Sequence, residues 1–101
     1  MPEKQQYMVD FTLPMEFSPE FTALIPAQRM EVNRLMAANR MVTYSLSLEG
    51  GKLWSIVNAE SELDALILVS NLPLSRFMDF KILPLTFHNA VTKIQTAFSL
   101  N

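Results

Sequence analysis

One continuous run carries the chain from a predicted helix into a predicted strand: Leu72-Pro73-Leu74-Ser75-Arg76-Phe77-Met78-Asp79-Phe80-Lys81-Ile82. Proline lacks a backbone N–H and clashes with the turn before it, so Pro73 ends the preceding helix. The pattern predicts a strand over residues 77–83 with Asp79 on it, and Pro84 is typical of a strand end or edge. This run therefore fixes a helix-to-strand order for the last part of the fold.

The start of the helix that ends before Pro73 and a hairpin before it are predicted upstream of this run. Ser61 can cap the free N–H groups of a helix start, and Asp64 follows three residues later, as in a capping box. One stripe of that helix consists of Leu63, Leu66, Ile67 and Ser70. Before it, Gly50-Gly51 separates two runs, 41–48 and 52–58, and predicts a hairpin between two strands.

The N-terminal half predicts one more strand and one more helix. Alternation over residues 7–13 gives the period of a strand. Ser18-Pro19 is typical of a helix start. Apolar positions at helical spacing follow, with Pro26 among them, so we expect a kink or a short turn before a main helix over 26–38. Asn39 is a plausible left-handed terminator of that helix.

The predicted order is strand, helix, strand, strand, helix, strand, which is the ferredoxin-like βαββαβ arrangement of an α+β domain. Such a domain has a four-stranded antiparallel sheet with two helices on one face. We expect a single domain over 1–101, with its core over about 6–88. The tail, 89–101, carries helical spacing over 90–98, and its apolar residues need a partner surface.

The opposite face of the sheet is predicted to be mixed in character and open. Its expected residues are Met8, Asp10, Thr12, Thr43, Ser45, Asp79 and Lys81, joined by Met41, Phe77 and either Leu53 or Trp54. A second copy of the same face can cover such a surface around a two-fold axis. The sequence therefore predicts a homo-oligomer, at least a dimer.

Composition excludes several classes of function. The chain has 101 residues, 50% of them hydrophobic and 18% charged, with a formal net charge of -2, which fits one globular domain and argues against nucleic acid or an anionic membrane as partner. It has one His and no Cys, so no transition-metal cluster is expected. The polar first six residues are not typical of a signal peptide, and the cytoplasm is the default location.

The run that begins at Leu72 resembles the muconolactone isomerase family. That family shows a similar Leu-Pro-Leu followed by an aromatic-Met-Asp at the entry to its last strand, here Leu72-Pro73-Leu74 and Phe77-Met78-Asp79. Thr12-Leu13-Pro14 looks similar too, and the likeness covers roughly residues 7–88. The resemblance implies a dimeric α+β barrel, in which two sheets face each other around a cavity. It also implies proton transfer on a small unsaturated lactone, with no metal and no organic cofactor.

Proton transfer of that kind needs a base and an acid within hydrogen-bond reach of the substrate. Asp10 and Asp79 are the candidate carboxylates, because the first and last strands are neighbours in this fold, and Asp79 carries the family match. An alternative for Asp10 is a structural ion pair with Lys81 across the strands. His88 is a third catalytic candidate, although a lone His is more often a surface or strand-end residue.

Ser45, Trp54 and Lys81 are the candidate ligand contacts, and Trp54 could instead pack at a subunit contact. Two functions remain open from the sequence. The first is a cofactor-free isomerase-like enzyme acting on a small unsaturated acid or lactone. The second is a non-catalytic member of the same superfamily that binds a small molecule or serves only in an oligomer. One fold can host either function, so only the residues and geometry of the site can distinguish the enzyme from the non-catalytic protein.

Overall fold

The structure is a computed structural model and describes residues 5–91. The elements follow in the order β1 (Gln5–Thr12), α1 (Pro19–Ala23), α2 (Ile25–Ala37), β2 (Met41–Ser47), β3 (Lys52–Ala59), α3 (Glu62–Ser70) and β4 (Asp79–Pro84), with a short 3₁₀ helix, Ser75–Phe77, before β4. From residue 92 onward, the expected tail helix lies outside the described residues.

The four strands form one antiparallel sheet in the order β2-β3-β1-β4. The helices pack on one face of it, so the predicted ferredoxin-like α+β fold is confirmed. Val9 and Phe11 of β1, Val57 of β3 and Val69 of α3 are fully buried between the two layers. The core therefore lies between the sheet and the helices, and the other face of the sheet carries no helix among residues 5–91.

Local sequence signals account for the element ends. The Ser18 hydroxyl accepts a hydrogen bond from the Phe21 N–H and caps α1. Pro26 stands at the start of α2, just after the break that separates α1 from α2. Asn39 has a φ of 60°, the left-handed conformation expected where a helix terminates. Ser61 accepts a hydrogen bond from the Asp64 N–H, so the predicted cap of α3 is confirmed.

Two residues expected on the open face lie on the helix side of the sheet instead. Met41 pairs with Val57 and Thr43 pairs with Ile56, so two steps along β2 match one step along β3. This bulge at Val42 reverses the alternation, and Met41 consequently points to the helix side and is buried. Phe77 belongs to the 3₁₀ helix and not to β4, and its ring forms a T-shaped contact with the Phe21 ring at a centroid distance of 5.6 Å.

The predicted stripe of the second helix points away from the core. Leu63, Leu66 and Ile67 are exposed, whereas the buried residues of α3 are Ala65, Leu68 and Val69. The helix is apolar around most of its circumference, so periodicity alone could not select the inner face.

Candidate functional site

The open face of the sheet brings most of the predicted site residues together. In the strand register, Ser45 lies opposite Trp54, Trp54 lies opposite Asp10, and Asp10 lies opposite Lys81. These four side chains form one row across all four strands, which we call the middle row. It joins one catalytic candidate to the three candidate ligand contacts, and it places Trp54, not Leu53, on the open face.

Two further rows flank the middle row. On the side toward the β2–β3 turn, the polar row consists of Ser47, Lys52, Thr12 and Asp79. On the other side, the largely apolar row consists of Thr43, Ile56, Met8 and Leu83. Charged groups therefore lie at one end of the face and aliphatic side chains at the other.

Asp10 forms an ion pair, but with Lys52 and not with Lys81. The Lys52 Nζ lies 2.6 Å from Oδ1 of Asp10, and it also donates to Oγ1 of Thr12 at 3.1 Å. Oδ1 is shielded from solvent, and no donor among residues 5–91 is aligned on it as a regular hydrogen bond. The contact is thus a close charge–charge contact. Lys81 lies directly opposite Asp10 without an ion pair between them in the described part of the chain.

The other two catalytic candidates lie apart from each other. Asp79 is the first residue of β4, opposite Thr12, and is exposed. His88 follows the end of β4 and is half-buried. Because β4 advances by roughly 3.4 Å per residue, its two ends are about 17 Å apart. Asp79 and His88 therefore lie toward opposite ends of the strand, and His88 belongs to none of the three rows.

Lys52 is the charged residue of this face that sequence reasoning missed. The signal was present, because alternation puts Lys52 on the same face as Trp54, two residues later. Its partner could not be read from the sequence, since Lys52 lies opposite Thr12 and reaches Asp10 along a diagonal. Diagonal neighbours are within reach of long side chains such as lysine.

A second feature lies on the helix side of the sheet, between α2 and the β2–β3 hairpin. It is a half-open cavity of about 510 Å³. It is lined by Leu13, Phe17, Phe21, Ile25, Gln28, Arg29, Val32, Asn33, Met36, Tyr44, Leu46, Leu48, Leu53, Leu74 and Met78. None of the predicted site residues lines it, because five of them lie on the open face and His88 follows the end of β4.

One polar group is buried deep in this cavity wall. Gln28 is 3% exposed and donates from Nε2 to Oη of Tyr44 at 2.9 Å. Its Oε1 accepts from the Leu74 N–H, also at 2.9 Å. Burial raises the pKa of the Tyr44 hydroxyl above its usual value, and the hydrogen bond from Gln28 opposes that shift more weakly. The Tyr44 side chain is therefore a neutral hydroxyl at physiological pH.

Within residues 5–91, no helix has the length and apolar character to cross a membrane. Over the same range, no three His, Asp or Glu side chains are grouped so that they could hold a metal ion.

The sheet order and the single helical layer define an α+β protein of the ferredoxin-like type. Among solved structures, the chain is similar to a crystal structure of muconolactone isomerase at 3.3 Å resolution, with a TM-score of 0.69 and 20% identity. The match covers 87% of this chain and 95% of that chain. No protein-family model and no curated protein sequence matches this chain. The resemblance found in the sequence is thus confirmed for the fold.

Proposed function

We propose that this protein is a cofactor-free, isomerase-like enzyme that transfers a proton on a small unsaturated lactone or acid. We further propose that it works as a homo-oligomer whose open sheet faces pair and enclose the site. The observation that carries the proposal is the Asp10–Lys52 pair, in which a solvent-shielded carboxylate oxygen lies 2.6 Å from an ammonium group beside Trp54. The fold likeness to muconolactone isomerase supports it.

The proposed chemistry uses a carboxylate base and an ammonium group together. The Asp10 carboxylate takes a proton from a carbon next to the double bond of the substrate. The electron pair of that C–H bond shifts through the conjugated system onto the carbonyl oxygen, and Lys52 or Lys81 stabilises the resulting negative charge. The carboxylic acid then gives the proton to the carbon at the other end of the conjugated system. The electron pair returns from the oxygen to form that C–H bond and the carbonyl re-forms, so the double bond moves and no redox equivalent is needed.

Asp79 is the alternative base and carries the family match. It lies in the neighbouring row, on the opposite side of Thr12 from Lys52. His88 is the third candidate. A substrate carboxylate or lactone carbonyl would contact Lys81 and Ser45, and its hydrocarbon part would pack on Trp54.

The open face is suited to pairing with itself. Its three rows hold two carboxylates, Asp10 and Asp79, and two ammonium groups, Lys52 and Lys81, so the face is neutral as a whole. Trp54 is 38% and Leu83 50% exposed on this surface. A two-fold axis lets the charged end of one face meet complementary charges of the other while the apolar side chains leave water.

The proposed isomerase-like activity is tested by solvent hydrogen exchange. Purified protein is incubated in D₂O with an unsaturated five-membered lactone bearing a carboxylate side chain, and ¹H NMR follows both deuterium uptake and movement of the double bond. We expect exchange at the carbon between the carbonyl and the double bond. A panel of such lactones and their open-chain acids that shows neither exchange nor isomerisation contradicts the proposal.

Three variants assign the base. Asp10→Asn and Asp79→Asn keep the shape and remove the basic oxygen, and Glu49→Gln is the matched control because Glu49 is exposed in the β2–β3 turn. Loss of a general base costs on the order of 10²–10⁴ in rate. We expect that loss for Asp10→Asn and an unchanged rate for the control. Loss in Asp79→Asn alone would transfer the role to Asp79, and loss in neither would leave His88.

The assembly is tested separately by light scattering. We expect a mass of at least twice the 11.5 kDa of the chain. Leu83→Asp on the open face should dissociate the oligomer, because it places a carboxylate in an apolar contact. Leu63→Asp is the control, since Leu63 is exposed on α3 at the other side of the molecule. Equal dissociation by both variants, or a monomeric parent protein, contradicts pairing through the open face.

One observation favours the second function, non-catalytic binding or a purely oligomeric role on the same face. Lys52 already holds Asp10 in an ion pair, and a carboxylate engaged in this way can serve structure alone. An intact oligomer that binds an unsaturated acid without exchanging its protons would establish this alternative.

A further inference from the structure

We propose that the cavity between α2 and the β2–β3 hairpin binds a small apolar molecule that carries one uncharged hydrogen-bond acceptor, such as a ketone or ester carbonyl. The proposal is independent of the open-face site, which lies on the other side of the sheet. The cavity volume of about 510 Å³ falls within the range of roughly 300–1,000 Å³ common to small-molecule sites.

The walls of the cavity divide into a buried floor and an exposed rim. The floor includes Phe21, Val32 and Leu53, which are buried in the core. At the rim, Leu46 is 56% and Leu48 65% exposed. Apolar side chains clustered around an opening lose unfavourable contact with water when an apolar molecule fills it. The buried apolar floor and the exposed apolar rim together favour an apolar ligand in the cavity.

The polar groups of the cavity specify what the ligand must offer. Both ends of the Gln28 amide are engaged, one with Tyr44 and one with the Leu74 N–H. The Tyr44 oxygen accepts from Gln28, but its own O–H proton has no acceptor among residues 5–91. A neutral hydroxyl with a free proton is a donor. The ligand that completes this network therefore carries an acceptor.

Charge in the lining argues that the acceptor is neutral. Among the described residues that line the cavity, Arg29 carries the one full charge, and it is exposed. A carboxylate placed deep beside Tyr44 would lose its hydration without a buried cation to replace it. A carbonyl oxygen can accept the Tyr44 proton at much lower desolvation cost.

Methionine methyl NMR on the full-length protein locates binding. Met36 and Met78 line the cavity, Met8 lies on the open face, and Met30 is exposed elsewhere on α2. The probe is 2-acetonaphthone, and 2-ethylnaphthalene is its counterpart without the oxygen. We expect saturable, submillimolar shifts of the Met36 and Met78 methyl signals with both probes, tighter for the ketone, and no shift for Met30.

Two variants test the mechanism of recognition. Tyr44→Phe removes the donor and keeps the ring, so the ketone should bind about tenfold more weakly and the hydrocarbon with unchanged affinity. Leu46→Trp fills the mouth from an exposed position and should weaken both probes. Leu63→Trp on α3 is the matched control and should change neither. Thermal unfolding of each variant confirms that it is folded before binding is compared.

Several results overturn the proposal. They are an absence of saturable shifts, shifts at Met8 in place of Met36 and Met78, or equal weakening of both probes by Tyr44→Phe. Methyl shifts that depend on protein concentration without a probe would show that a second copy occupies the cavity. A higher ketone affinity in the full-length variant Ile94→Ser/Phe98→Ser would assign the cavity to the chain's own C-terminal residues.

Discussion

The Asp10–Lys52 contact makes the sharpest prediction about the energetics of the open face. Lys52→Met keeps a long unbranched side chain and removes the ammonium group. Asp10→Asn keeps the shape of the carboxylate and removes its charge. The double variant completes a thermodynamic cycle, which isolates the interaction between the two groups from the separate cost of each substitution.

The expected coupling follows from the burial of the pair. Exposed ion pairs contribute about 0.2–1 kcal/mol, and breaking a fully buried pair costs about 3–5 kcal/mol. The Lys52 and Asp10 side chains are 31% and 27% exposed, with Oδ1 shielded from water. This pair is intermediate, so we expect a coupling of about 1–2 kcal/mol in the free energy of unfolding.

The assay is urea unfolding of the four proteins at low and high ionic strength. Glu31 and Arg34 form the control pair, since their N–O distance is also 2.6 Å but Arg34 is 66% exposed on the surface of α2. The Glu31–Arg34 coupling should be the smaller one and should fall further in salt, because screening acts mainly on exposed charges.

A coupling for Asp10 and Lys52 no larger than that of the control pair would refute this reasoning. It would mean that the open face hydrates both charges as freely as a helix surface does, and the proposal would lose the solvent shielding of Asp10 Oδ1 on which it relies.

Three further predictions concern the framework. Gln28→Leu leaves the Leu74 N–H without its acceptor and should lower the free energy of unfolding in urea by about 1–3 kcal/mol; no loss would show that water replaces the amide. Ser61→Ala should cost about 1 kcal/mol, because it removes the cap of α3, whereas Ser70→Ala at the exposed end of the same helix should be neutral. The raised pKa of Tyr44 contributes stability that is present below pH ~10 and lost as pH rises through the folded-state value; Tyr44→Phe should lack that loss, and parallel pH profiles would contradict it.

The fold could be predicted because its local signals agree with one another. Alternation over β1 and β2, the Gly50-Gly51 turn, the Ser61 cap and the stop at Pro73 each act within a few residues. Prediction of side-chain direction failed where no local signal marks the structure. The bulge at Val42 reverses the direction of Met41 and has no marker in the sequence, because it arises from the pairing of β2 with β3.

The candidate site could be predicted in part for the same reason. Alternation placed Asp10, Ser45 and Lys81 on one face, and the register then brought them into one row. The partner of Asp10 depends on a diagonal contact, which alternation does not specify. The alternative stated for Asp10, an ion pair with Lys81, therefore names the wrong lysine, and the partner is Lys52. The cavity behind the sheet was not predicted at all, since its volume is set by the docking of α2 and not by any single run of residues.

Strand β3 shows how one sheet can serve both proposed sites. Lys52 and Trp54 point to the open face, whereas Leu53, between them in sequence, lines the cavity on the helix side. Because successive side chains of a strand point to opposite faces, the two sites share a backbone while sharing no side chain. Filling the cavity can therefore shift the open face only by moving the backbone of the strands that border both sites, chiefly β2 and β3. Both strands are hydrogen-bonded into the sheet, and β3 has a neighbour on each side. We expect the two sites to bind independently, so that saturating the cavity with 2-acetonaphthone leaves the affinity of the open face for an unsaturated acid unchanged.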